Sequence, residues 1–120
     1  MSSITLYGIA NCDTVRKARR WLADQGIDYR FHDFRTDGLE PGQVRAWLAE
    51  LGPALVNKRS TSWKSLDPAK REELSTGTDS VGALAAILAQ PTLIKRPLLD
   101  TGSARHPGFS PATYATLFTR

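Results

Sequence analysis

The 120-residue sequence holds one cysteine, Cys12, and two histidines, His32 and His106. A lone cysteine excludes an internal disulfide and a metal site built from thiolates alone. It also excludes a C-x-x-C dithiol, because the position completing that motif is Val15. The histidines lie far apart and give no metal-ligand spacing, so no metal is expected. No apolar run approaches the about 20 residues of a membrane-spanning helix. Met1-Ser2-Ser3 leads straight into a strand-like run, without the basic and apolar regions of a signal peptide. Internal repeats, low-complexity segments and an evident linker are absent as well. The expectation is a soluble cytoplasmic protein with no membrane partner.

With 41% hydrophobic and 23% charged residues, the chain can bury a real core. Its length suits a single domain over 1–120. The formal charge is +4, a modest excess. The basic residues are not interleaved with aromatics in a nucleic-acid motif, so they read as solvated surface and no nucleic acid is expected. Small size and dispersed apolar residues suit a monomer.

A strand is expected over Ile4 to Gly8 and a helix over about Thr14 to Gln25. Val15, Ala18, Leu22 and Trp21 form the helix's inward stripe, and Gly26 is its C-cap. Ile27 to Phe34 alternates like a second strand, so the first three elements make a β-α-β unit with parallel strands. Between about 39 and 91 the pattern is helical. Pro41 opens a helix with Val44, Trp47, Leu48 and Leu51 inward, and Gly52-Pro53 stops it. Asn57 to Ser62 is loop-like. Asp67-Pro68 opens a short helix anchored by Leu66 and Leu74. Thr76 to Asp79 reads as a turn. Ser80 caps a helix through Gln90 with Val81, Leu84, Ile87 and Leu88 inward. Strand character returns over Leu93 to Asp100, followed by a Thr101-Gly102-Ser103 turn and a short strand over Ala104 to His106. Ser110-Pro111 opens a last helix with Tyr114, Leu117 and Phe118 inward. The fold class expected is α/β: a thioredoxin-like order with a helical insertion between the second and third strands.

Cys12 falls where the first strand hands over to a helix. Unpaired N–H groups and the positive end of the helix dipole face a thiol there, and both favour the reactive thiolate. The alternative is a buried, inert cysteine. The polar neighbours Asn11, Asp13 and Thr14 argue against that. A phosphatase loop needs Arg six positions after the cysteine, where this chain has Ala18. A papain-like nucleophile needs a histidine partner, and nothing marks His32 or His106 as one. What remains is exchange with an external thiol.

Arg96-Pro97 places a proline inside a strand-like segment, which demands an edge, a bulge or a cis bond. In a thioredoxin-like layout that proline is cis and lies beside the cysteine, with Arg96 near the thiol. An edge-strand proline and a solvated arginine are the alternatives. Arg59 and Lys58 are equal candidates within their polar loop. Arg105, His106, His32 and the basic cluster from Arg16 to Arg20 read as surface residues, and Trp63 as a cover for the inserted helices.

Four blocks carry a family resemblance. They are Gly8 to Ala18; Asn57-Lys58-Arg59 with Thr61 to Leu66; Ile94 to Leu99; and Gly108-Phe109-Ser110. In this order they resemble the ArsC/Spx family of arsenate reductase-like proteins, and within it the YffB branch. The resemblance implies a nucleophilic Cys12, a cis Pro97, and substrate binding by Arg59, Arg96, Pro97, Asn11, Asp13 and Thr14. In the family's arsenate reductases three arginines hold the oxyanion. Arg59 and Arg96 match two of them. The third belongs near Pro107-Gly108, where this chain has no arginine and Arg105 is displaced. The implied activity is therefore a glutathione-dependent thiol oxidoreductase, with glutathione as co-substrate and glutaredoxin as a partner. True arsenate reduction coupled to glutathione and glutaredoxin is one alternative. A Spx-like, non-enzymatic regulator that binds a protein partner such as RNA polymerase is another.

Overall fold

The computed structural model describes residues 4–76 and 81–118. In chain order the elements are β1 (Thr5–Gly8), α1 (Asp13–Asp24), β2 (Arg30–Asp33), α2 (Pro41–Leu51), α3 (Thr61–Lys64), α4 (Pro68–Ser75), α5 (Val81–Ala89), β3 (Leu98–Asp100), β4 (Arg105–Pro107) and α6 (Pro111–Phe118). Short 3₁₀ turns occupy Gly52–Leu55 and Pro91–Leu93. The backbone forms two compact units, one from Met1–Asp37 with Arg96–Arg120 and the other from Gly38–Lys95. No helix among the described residues is long and apolar enough to cross a membrane.

The first unit carries a four-stranded sheet of order β2-β1-β3-β4. β1 and β2 are parallel, with Leu6 opposite Phe31, and a parallel pair needs the crossover that α1 supplies. β3 runs antiparallel to β1 with Tyr7 opposite Leu98, and the β3–β4 hairpin completes the sheet. This is a thioredoxin-like fold with a helical block between the second and third strands. α1 buries Val15, Ala18 and Leu22, the stripe that its three-to-four spacing predicts. Gly26, at φ +68°, takes the left-handed conformation that ends the helix. Leu6, Ala18, Leu22, Leu99 and Tyr114 form the core, with Trp21, Phe31 and Phe109 packed around it. Ser110 caps α6, its Oγ accepting the Thr113 N–H at 3.1 Å.

In the second unit α2 begins with Pro41 and buries Val44, Trp47 and Leu48. Gly52, at φ +57°, stops it. Asp67 caps α4 by accepting the Lys70 N–H at 2.8 Å.

Four expectations need correction or completion. Ser60 Oγ accepts the Trp63 N–H at 3.1 Å, so α3 begins inside the segment expected to be loop. Val81 is 77% exposed rather than inward. The buried stripe of α5 is Ala83 and Ile87, and at 100° per residue Val81 lies nearly opposite Ala83. The strand expected from Leu93 starts only at Leu98. Leu93 ends a 3₁₀ turn, Ile94 makes a single bridge to Val56, and Pro97 has no N–H to give a ladder. The turn expected over Thr76 to Asp79 and the Ser80 cap fall mostly on 77–80, outside the described residues.

Tyr114 is fully buried, edge-on to Phe109 at 4.7 Å and to Trp21 at 5.7 Å. Its hydroxyl has no hydrogen-bond partner among the described residues, and burial pushes the phenol well above its ordinary value. A buried unpaired hydroxyl costs about 1–3 kcal/mol. Tyr114→Phe should therefore leave the unfolding free energy unchanged or raise it by about 1 kcal/mol. Tyr114→Ala should lower it by about 3–5 kcal/mol, as for other large aromatic truncations. Urea unfolding of the three proteins checks both expectations.

Candidate functional site

The junction between β1 and α1 is set by a close approach. A Cβ added to Gly8 would stand 2.7 Å from Val15 Cγ2, so glycine lets the first turn of α1 settle onto the end of β1. Ile9, Ala10 and Asn11 span the gap. Cys12 closes it, donating its N–H to the Ile9 carbonyl at 3.1 Å and accepting the Arg16 N–H at 2.9 Å on its own carbonyl. It is the N-cap residue, with extended backbone at φ −99° and ψ 128°. The free thiol is half-buried and makes no capping hydrogen bond. The first N–H groups of α1 have no intrahelical acceptor, and the helix dipole adds positive potential at the same end.

The other residues singled out in the sequence divide between the two units. The Arg96–Pro97 peptide is cis. The register that sets Tyr7 opposite Leu98 carries Pro97 to the end of the sheet where β1 leaves for Cys12. The Pro97 carbonyl accepts the Gly108 N–H at 2.8 Å, and Arg96 is half-buried. Asn11 is exposed and Thr14 half-buried. Asp13 is exposed and paired with Arg16, whose hydrogen bond and charge hold the carboxyl below its usual value. Asp13, Arg16, Lys17 and Arg20 frame a shallow hollow of about 210 Å³ on α1. Arg59 belongs to the second unit. There it shares a hollow of about 570 Å³ with Asn57, Lys58 and Lys95. Its N–H donates to Asn57 Oδ1 at 3.1 Å. Lys58 lies in the same hollow, with its Nζ 5.5 Å from the Trp63 ring centroid.

The residues read as surface have specific contacts. Arg19 lies over Phe31 at 4.2 Å and donates to the Tyr29 hydroxyl. His32 packs against the Tyr7 ring at 5.0 Å. Arg105 faces Asp100 across the hairpin at 3.8 Å. Among the described residues no three His, Cys, Asp or Glu side chains gather where they could hold a metal ion.

Sequence reading missed Asp33, which it treated only as part of a strand alternation. Asp33 is 8% exposed at the end of β2. Its Oδ2 accepts the Ala10 N–H at 3.0 Å and its Oδ1 accepts the Arg35 N–H at 2.8 Å. Burial alone would raise its carboxyl. The N–H groups of Arg35, Ala10 and Thr36, with the Arg35 charge, more than offset this and hold it below its ordinary value.

Sheet order, helical insertion and cis proline define a thioredoxin-like protein with one thiol. Within that class the chain belongs to the ArsC family, whose model matches residues 7–117. It is 42% identical over 116 residues to an uncharacterised Haemophilus influenzae protein, covering 96% of this chain and 98% of that one. The global transcriptional regulator Spx of Streptococcus pyogenes is 29% identical, over 89% of this chain and 78% of the regulator. Among solved structures, the YFFB protein superposes with a TM-score of 0.86 at 37% identity, covering 98% of this chain and 100% of that one. An arsenate reductase (ArsC) related protein from Brucella melitensis gives 0.75 at 39% identity, covering 98% and 96%.

Two expectations follow from the junction. Gly8→Ala should cost about 1–3 kcal/mol through overpacking against Val15, and Val15→Ala should recover part of that loss in the double variant. Thermal unfolding of the four proteins measures the coupling. The Asp33 carboxyl is lowered in the folded state, so its stabilisation is present above the unfolded value of about 3.9 and is lost as pH falls through the folded one. Asp33→Asn should accordingly flatten the fall in unfolding midpoint between about pH 5 and pH 2.

Proposed function

We propose that this protein is a thiol oxidoreductase that works through Cys12 and uses glutathione as the external resolving thiol. The observation that carries the reading is Cys12 itself, a free, half-buried thiol at the N-cap of α1 with no second cysteine in the chain. The cis Pro97 at the same end of the sheet, preceded by Arg96, supports it. So does membership of a family that includes arsenate reductase-related proteins.

The exchange balances as follows. The Cys12 thiolate attacks one sulfur of a disulfide substrate. A Cys12–substrate S–S bond forms, the substrate's own S–S bond breaks, and the second sulfur leaves as a thiolate that takes a proton from water. Glutathione thiolate then attacks the substrate sulfur of the mixed disulfide. This frees the Cys12 thiolate and leaves a glutathione–substrate disulfide. In this reading Arg96 favours the anionic sulfur and can clasp an acidic group with paired donors. Asn11, Asp13 and Thr14 border the thiol and Pro97 lies beside it, while Arg59 is counted among the substrate-binding residues on the family resemblance alone. One domain, a cytoplasmic location, a monomeric state and glutaredoxin as redox partner belong to the same proposal. Oxyanion reduction is the weaker enzymatic reading, because Pro107 and Gly108 stand where a third arginine would be needed.

The likeness to the Spx regulator favours one second reading, a protein that binds RNA polymerase and has no turnover. Glutathione disulfide separates the two. Cys12 should form a mixed disulfide at least about tenfold faster in the native protein than in the urea-unfolded chain, and excess glutathione should restore the free thiol. Arg96→Ala should slow the native reaction by about tenfold, the scale of one lost charge-assisted contact. Intact-mass kinetics follow both reactions. A native rate no faster than that of the unfolded chain, with RNA polymerase retained by the immobilised protein, would replace the enzyme reading with the regulator.

A further inference from the structure

We propose that Asp33 is a positioning residue for Cys12: its carboxylate holds the Ala10 N–H, and with it the turn that presents the thiol at the start of α1. The inference rests on the reading of Cys12 as an exchanging thiol and adds the group that keeps it in place. The turn from Ile9 to Asn11 is held at its start by the buried Ile9 and at its middle by the Ala10 N–H. Ile9 is buried, whereas Ala10 and Asn11 are exposed. The Cys12 N–H to Ile9 carbonyl bond lies inside the turn and cannot tie it to the sheet. The Ala10 N–H to Asp33 Oδ2 bond spans 23 residues of sequence and does so.

The other end of that bond is rigid. The Asp33 N–H donates to Asp37 Oδ2 at 3.0 Å, and its Oδ1 is occupied by the Arg35 N–H. The next residue, Phe34, donates its N–H to the Gly8 carbonyl at 2.9 Å, which locks the ends of β1 and β2 together. The Asp33–Ala10 bond is thus the last rung of the β1–β2 pairing, made by a side chain where the backbone ladder has run out. A carboxylate suits it because both oxygens accept. An asparagine has one accepting oxygen and an NH₂ group, so it keeps the bond to Ala10 or to Arg35 but not both. The part proposed for Asp33 is geometric and acts through the Ala10 N–H.

Two reagents with different demands test the proposal on full-length protein at one pH. Iodoacetamide is small and reports thiolate availability, and removing a nearby carboxylate does not disfavour a thiolate. Glutathione disulfide needs the attacking sulfur aligned with an S–S bond, and misplacement of about 1 Å can cost up to about a hundredfold. Asp33→Ala should slow mixed-disulfide formation by about tenfold while changing alkylation less than about threefold. Asp33→Asn should fall between Asp33→Ala and the native protein in the first reaction. The Ala10 amide should lose hydrogen-exchange protection in Asp33→Ala. Parallel loss of both rates, no loss of either, or unchanged Ala10 protection would overturn the proposal. If Asp33→Ala does not fold, Asp33→Asn carries the same comparison, and native-like exchange with native-like Ala10 and Arg35 protection would be the overturning result. If the native protein fails to exchange with glutathione disulfide, the enzyme reading fails, and loss or retention of Ala10 protection in Asp33→Ala still decides whether Asp33 holds the turn.

Discussion

The close approach of Gly8 and Val15 governs where the Cys12 thiol sits. β1 lies between β2 and β3, so backbone bonds hold it on both edges. Its last residue has no side chain, and Val15 uses the space. The first turn of α1 is thereby pressed onto the end of the strand, with only Ile9, Ala10 and Asn11 between Gly8 and Cys12. Such a short span leaves the thiol little choice of position. The same constraint keeps the N–H groups at the start of α1 beside it. Packing, backbone geometry and electrostatics therefore meet at one residue, and the sheet's central strand holds all three in place.

The parts of this arrangement set by neighbours in sequence are legible without coordinates. Val15, Ala18 and Leu22 announce the buried face of α1 by spacing, Gly26 its end, and Ser110 with Pro111 the start of α6. Cys12 as a helix N-cap is equally local. Reading fails where the signal is ambiguous or distant. α5 is apolar nearly all round, so its composition does not say which face is inside, and Val81 is misplaced for that reason. Leu93 to Pro97 has strand-like residues, but Leu93 and Ile94 belong to a turn and a bridge within the second unit.

Asp33 is the instructive miss. A period-two alternation assigns a strand residue to a face and says nothing about what its side chain bonds. Its partner Ala10 lies 23 residues earlier, in a turn whose N–H has no ladder to join. The available hint is a carboxylate at a strand end followed, after Phe34, by Arg35, Thr36 and Asp37, a polar stretch that turns back on the chain. Arg96 and Arg59 had the opposite status. The role expected of Arg96 comes from its place before Pro97 in a thioredoxin-like layout and that of Arg59 from family resemblance, since an arginine's charge carries no record of which distant group it faces.

The sheet also bears on which chemistry the junction suits. The family resemblance places the third arginine of an oxyanion site near Pro107-Gly108. Arg105 cannot supply it from its register, because it pairs with Asp100 at the far end of the hairpin and its guanidinium faces that carboxylate. Pro107 pairs with Leu98, and Gly108 returns its N–H to Pro97 at φ +81°. An arginine side chain at Gly108 would sit in a left-handed conformation that glycine tolerates and other residues resist. The backbone that binds Pro97 thus occupies the position where the third arginine would stand. In the proposed exchange a single thiol needs no third cation, because the attack on a disulfide spreads one negative charge along three sulfur atoms.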